Sequence, residues 1–444
     1  MKQWMGKHKW SLGFAAVTLA ALAARIIWMV KIPNVPVSDF HVYWDIAKNV
    51  YNDLGISQRG EPKAFQGPFY PMVLGVWYKL VGTTSIFAGK ILNVILSMAT
   101  LLVFYSLLKR LFSRPGVVLL AYAFAAFLPN YIAYNSTLGT EILYTFLMVV
   151  TLRLQFSELK GRLRYPLMGV FIALTALTRP YFIVYPVIVA AAEWIRRKSW
   201  KETVIAGAVT AIVALAVISP WTIRNWKVFD TFVLVASNDG YVLFVNNNDN
   251  NWFGGWMHPD QIQVSEEFVA KFEEIGVPYP EHPPQANELY KEEAMRWIWA
   301  NPVKFLELGV IRVKNTFFNG AEDVEKWTMN EYRQNRPSMT LVDLEREIKF
   351  ARSVSDIIIY VISSFGLIYV LLHVKDLLLS LLRKKTTITF GAAVLCMNIA
   401  LYPAVFFVSE GQPRYNFPVL ILLILATVAS IEILGKHRRE SDLR

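Results

Sequence analysis

Long apolar runs recur along the chain, separated by short polar stretches, at 11–30, 86–108, 116–134, 138–156, 165–177, 181–194, 204–218, 357–373, 387–408 and 415–434. This pattern predicts an all-α polytopic membrane protein with about ten transmembrane helices. Several runs are shorter than the roughly 17 residues a span needs, so they must borrow flanking residues and their boundaries are soft. The first run follows a basic stretch without a small-residue cleavage site and is expected to remain as a first span.

Basic residues fall at every second junction: Lys2, Lys7 and Lys9; Lys109, Arg110 and Arg114; Lys160, Arg162 and Arg164; Arg196, Arg197, Lys198 and Lys201; Lys375, Arg383, Lys384 and Lys385; and Lys436, Arg438 and Arg439. Because basic loops stay on the cytoplasmic side, both termini are expected there. The long segments 31–85 and 220–355 then face outward. The first carries an amphipathic helix, with Phe40, Tyr43, Trp44, Ala47, Val50 and Tyr51 on one face and Asp45, Lys48 and Asn52 on the other; it is expected along the outer membrane surface. The second is expected to form a small mixed domain, with turns over 246–251, a helix over 288–299 and an interfacial or re-entrant stretch over 302–318. Lys304, Glu307, Arg312 and Lys314 make a lipid-exposed span costly in that stretch. Three parts follow: an N-terminal membrane module 1–219, an outward domain 220–355, and C-terminal helices 356–444.

Composition agrees. The chain is 55% hydrophobic with a mean hydropathy of +0.36, more apolar than one soluble core requires. The net charge of +11 sits in clusters between apolar runs, the signature of topology rather than of nucleic-acid binding. The lone cysteine, Cys396, allows no intrachain disulfide.

Candidate chemistry gathers on the outward side. Asp39 begins the first-loop helix, where it is either a dipole-complementing charge behind a Ser38 cap or a general base for an arriving hydroxyl. Glu141, at the outer mouth of the fourth span, is either an N-terminal helix charge or a second catalytic carboxylate. Arg179, Arg224 and Arg414 run against the general charge bias and suggest a site for an anionic group, since guanidinium forks match phosphate oxygens. Arg25 and Lys90 read as snorkelling side chains. Tyr43, Gln66, Tyr70, Asn247 and Tyr415 are candidate sugar or acceptor contacts. No metal is required by the sequence; His41 is the candidate ligand should a divalent ion be used, and no closely spaced ligand motif accompanies it.

Taken in order, Ser38-Asp39-Phe40-His41-Val42-Tyr43, Gly67-Pro68-Phe69-Tyr70-Pro71, Thr140-Glu141, Leu177-Thr178-Arg179-Pro180, Pro220-Trp221-Thr222-Ile223-Arg224-Asn225 and Arg414-Tyr415 resemble the GT-C glycosyltransferases. More narrowly, they are similar to the protein mannosyltransferase and aminoarabinose transferase-like group. The resemblance implies transfer of a sugar from a polyprenyl-phosphate donor to an extracytoplasmic envelope glycan, lipid or protein, in the cytoplasmic membrane. It implies catalysis at Asp39 with Glu141 as the matching acidic position, and a lipid-phosphate groove near the three arginines. Phe65 and Gln66 stand where the family's turn often has a histidine, a departure from its pattern. The expected partners are the lipid-linked sugar, the acceptor and membrane lipids. A transporter or lipid flippase, or an inactive relative serving as a binding or assembly factor, is the alternative.

Overall fold

The computed structural model describes residues 2–32, 35–322, 324–327 and 342–441. Parts of the expected 31–85 and 220–355 segments, at 33–34, 323 and 328–341, lie outside the described residues. So do residues 1 and 442–444 and the side chains of Lys2, Lys7, Lys436, Arg438 and Arg439.

The chain folds into helices α1 (Lys2–Lys31), α2 (Ser38–Tyr51), α3 (Phe69–Val81), α4 (Ile86–Leu111), α5 (Pro115–Phe127), α6 (Pro129–Ala133), α7 (Thr140–Gln155), α8 (Gly161–Thr178) and α9 (Tyr185–Arg197). Next come α10 (Trp200–Phe229), α11 (Asp239–Asn246), α12 (Glu266–Glu274), α13 (Asn287–Ala300), α14 (Pro302–Phe317), α15 (Val342–Leu382), α16 (Phe390–Val408) and α17 (Leu420–Ser441). Every predicted apolar run contains a helix. Five helices are long and apolar enough to cross a membrane unaided: Lys9–Lys31, Ile86–Leu111, Trp200–Phe229, Ile348–Leu382 and Phe390–Val408. A sixth span results if α5 and the Pro129–Ser136 helix, bent by 53° at Leu128, count together; Pro129 begins the new helix at the break. The protein is therefore a multi-pass membrane protein. Leu19, Val187, Ile212 and Leu372 are each 66% or more exposed, apolar surface suited to lipid.

Local signals fix several boundaries. Ser85, Ser199 and Thr389 accept hydrogen bonds from Ala88, Glu202 and Ala392 and so cap α4, α10 and α16. Ser38 does not play the expected capping role: Val37 is the cap residue of α2, without a side-chain bond, and Ser38 takes a positive φ of 52°.

The helices α4, α7, α8, α10 and α9 pack as successive neighbours, and α15 packs on α17. α17 was expected as an ordinary span, yet Val419 to Ala426 are at most 2% exposed. It is a central helix, apolar on all sides because protein surrounds it. The first loop is not one surface helix. α2 pairs with α3, and Phe40, Tyr43, Ala47, Tyr70, Leu74 and Tyr78 join Leu92, Leu138 and Leu143 in one core. α3 is an element that the hydropathy pattern does not predict.

α10 continues through Pro220 to Phe229, so the second loop begins later than 220. It has its own core, with Phe244, Phe268, Phe272 and Tyr290 fully or almost fully buried. The expected mixed character is corrected: among the described residues this segment holds helices and no strand. A two-residue hairpin, Ser57–Gln58 with Glu61–Pro62, lies instead in the first loop.

Candidate functional site

The ends of α7 and α8 supply the first half of the site. Glu141 lies in the first turn of α7, where the helix N-terminus favours a carboxylate. Gly139 precedes it, and a Cβ there would run into both the Glu141 carboxylate and the Phe40 ring, so the close approach needs a glycine. Arg179 ends α8 in an extended conformation, φ −141° and ψ 112°, as a residue before proline must. That exit turns its side chain toward α7. Nε donates to Thr140 Oγ1 at 3.1 Å and Nη2 to Glu141 Oε1 at 2.7 Å.

Arg414 comes from the turn Pro413–Asn416 between α16 and α17. Its Nη2 donates to Asp39 Oδ2 at 3.0 Å, and its Nε lies 3.8 Å from Glu141 Oε1. One carboxylate oxygen of Glu141 thus stands between two guanidinium groups, giving the series Arg179, Glu141, Arg414, Asp39. The guanidinium of Arg414 is also 5.1 to 5.5 Å from the ring centroids of Trp327, Phe40 and Tyr415. Glu141, Arg414 and Arg179 side chains are at most 10% exposed, whereas that of Asp39 is 39% exposed. Asp39 is the accessible carboxylate of the set.

Tyr43 and Tyr70 stack edge to face, 5.7 Å between centroids, on the buried side of α2. Burial first, then the Asp39 carboxylate, pushes the Tyr43 hydroxyl up, so it is a neutral donor at physiological pH. Gln66 is half-buried in the turn whose Gly67 abuts the carbonyls of Leu177 and Thr178. Tyr415 lies beneath both arginines, its centroid 5.6 Å from Arg179.

Two predicted members belong elsewhere. Arg224 donates to the carbonyls of Lys63 and Ile56 and to Asn225 Oδ1, at 3.0 to 3.1 Å; it fastens the first loop to α10 rather than joining the other arginines. Asn247 is 1% exposed, with Nδ2 on Leu243 and Val408 carbonyls and Oδ1 accepting from Arg312. A side chain committed at both ends in the interior is not an acceptor-binding surface. His41 is 46% exposed and pairs only loosely with Asp45, at 3.7 Å. Among the described residues no group of three or more His, Cys, Asp or Glu side chains converges.

Glu410 was not singled out by the sequence. It is 5% exposed; Tyr415 donates to its Oε2 at 2.6 Å, and Gln412 donates to Oε1. Burial is the main force raising its carboxyl above the usual range. An acidic residue at the mouth of an apolar run was the signal that found Glu141, and it applies equally to Glu410. Arg312 lies in the stretch expected to be interfacial or re-entrant, and its side chain does not face the interface. It is instead fully buried, donating to the carbonyls of Phe407, Val408 and Asn246 and to Asn247 Oδ1, and so it ties the second loop to the end of α16 that leads to Arg414.

This arrangement of bundle and loops has the fold of a solved archaeal membrane oligosaccharyltransferase. Residues 65–223 match the family described as dolichyl-phosphate-mannose-protein mannosyltransferase. The Archaeoglobus fulgidus oligosaccharyltransferase tethered with an acceptor peptide superposes with a TM-score of 0.52 and 14% identity, over 98% of this chain and 51% of that one. The same organism's oligosaccharyltransferase AglB, in complex with an inhibitory peptide and a dolichol-phosphate, gives 0.50 and 14% over 99% and 52%. ArnT from Cupriavidus metallidurans, bound to undecaprenyl phosphate, gives 0.42 and 12% over 95% and 78%. The chain spans about half the length of the archaeal structures it matches. No curated protein sequence matches it.

Proposed function

We propose that the protein is an integral-membrane glycosyltransferase. It moves a hexosyl or pentosyl group from a polyprenyl-phosphate donor to an envelope glycan, lipid or protein acceptor on the extracytoplasmic face of the cytoplasmic membrane. In this reading the chain spans the bilayer about ten times with both ends in the cytoplasm, as the alternation of basic clusters supports. The observation that carries the reading is the series Arg179, Glu141, Arg414 and Asp39, two guanidinium groups held beside one accessible carboxylate. The family match and the dolichol-phosphate bound by the archaeal enzyme of this fold support a lipid-phosphate donor.

A sugar on a phosphate already has a leaving group, so the protein must remove a proton from the acceptor and stabilise the phosphate. Asp39 takes the proton of the acceptor hydroxyl while that oxygen attacks the anomeric carbon. The bond between this carbon and the phosphate oxygen breaks, its electron pair leaves with the lipid phosphate, and the configuration inverts. Arg414 and Arg179 face the charge that builds there. Glu141, buried between them, holds both in place, while the half-buried Gln66 and Tyr415 line the approach of sugar or acceptor and Tyr43 and Tyr70 back Asp39 from the core.

The test is transfer by purified protein from a panel of radiolabelled polyprenyl-phosphate sugars to envelope acceptors, with Asp39→Asn alongside. Transfer lost in the variant supports the reading; transfer undiminished removes Asp39 as base. Carrier-dependent transport in vesicles without release of sugar would replace the enzyme with a flippase.

A further inference from the structure

Arg25 lies in α1 within the span Lys9–Lys31 and is 0% exposed. It does not snorkel. Its Nε donates to Ser97 Oγ at 2.8 Å, and Nη1 donates to the carbonyls of Ala21 at 3.1 Å and Ala126 at 2.9 Å. The bond to Ala126 has a clear reason: this carbonyl belongs to the last turn of α5, where the chain breaks at Leu128 and helix carbonyls lose their partners. These partners are all neutral. Nη2 has no hydrogen-bond partner among the described residues.

Arg25 and Ser97 line a cavity of about 20 Å³ with Thr100, Tyr131, Thr145 and Ile421. The hydroxyls of Thr100, Tyr131 and Thr145 are committed as donors to the carbonyls of Leu96, Phe417 and Glu141. Ser97 accepts from Arg25 and keeps its own proton. The donors left for the cavity are therefore the two N–H bonds of Arg25 Nη2 and the Ser97 hydroxyl.

We propose that this cavity is an internal site for one monovalent halide, chloride under physiological conditions. A cation inside a membrane bundle without a carboxylate is costly. A halide accepts from every donor that faces it and also cancels the charge, whereas water accepts from them but leaves the charge uncompensated. The volume suits one particle of water or halide size and excludes gluconate or sulfate. The site is independent of the transferase reading: its occupancy neutralises the junction of α1, α4 and α5.

Thermal unfolding of the full chain in detergent, at constant ionic strength in chloride, bromide or gluconate, tests it. The wild type should gain several degrees in Tm with chloride and with bromide over gluconate, saturably with concentration. Arg25→Gln should abolish that difference. Should Arg25→Gln fail to fold, Arg25→Lys, which keeps the charge but not the fork, should need at least tenfold more halide for the same gain. Equal Tm of the wild type in chloride and gluconate would overturn the proposal and leave the cavity to water. A halide gain that persists unchanged in the Arg25 variants would overturn it equally, by placing the effect elsewhere.

Discussion

Arg414 donates to Asp39 across 375 positions of sequence, from the turn before the last helix to the start of the first loop helix, at 3.0 Å. The pair joins a buried cation to a carboxylate that solvent reaches. Replacing the fork by a point charge separates the two uses of Arg414. In Arg414→Lys the donor KM is expected to rise roughly tenfold, the loss of about one charge-assisted hydrogen bond, with a smaller change in kcat. Steady-state transfer kinetics at varied donor concentration check this.

Glu141 and Arg179 form a pair with side chains 1% and 10% exposed. Breaking it from one side leaves a charge without compensation. Glu141→Gln alone is expected to destabilise the protein by about 3–5 kcal/mol, and adding Arg179→Met should recover part of that loss. Denaturant or thermal unfolding of the two variants measures the difference.

Glu410 gives a pH dependence of known sign. Burial raises its carboxyl in the folded protein, so folding favours the protonated form. That stabilising contribution is fully present below the unfolded carboxyl value, about 4.3, and is lost as pH rises through the higher folded value. Glu410→Gln should therefore match the wild type in acid and exceed it in stability at pH 8. Unfolding midpoints across this range decide it; a variant less stable at pH 8 than the wild type contradicts the expectation.

Gly67 bears directly on the site. A Cβ there would lie 2.5 Å from the Leu177 carbonyl oxygen and 2.7 Å from that of Thr178, next to Arg179. Gly67→Ala is expected to cost about 1–3 kcal/mol of stability and to lower transfer by displacing Arg179, while Gly55→Ser, in open space, should leave transfer unchanged. Gly55 has a positive φ, so its own stability cost is a control for backbone strain.

Much of the architecture is legible because its causes are local. Runs such as 86–108 and 387–408 need only hydropathy and length to become α4 and α16, and the face of α2 carrying Phe40, Tyr43 and Ala47 follows from a 3.6-residue period. α3 shows the limit: thirteen residues beginning Phe-Tyr-Pro carry no polar face to announce a helix, and its partner α2 decides where it lies. Glu410 likewise showed no local mark beyond its place at the end of an apolar run.

By itself, then, the sequence determined which long apolar stretches carry helices, in what order they come, and which residue types stand at their ends. The tertiary structure decided which of those ends meet. Arg179, Arg224 and Arg414 look alike in one dimension, each at an apolar boundary. Two of them share Glu141 because α7, α8 and the turn before α17 converge, while the third faces the backbone of the first loop. Hydropathy acts on neighbouring residues, whereas an ion pair acts over a few ångströms of space, and only the packing of helices converts one kind of proximity into the other.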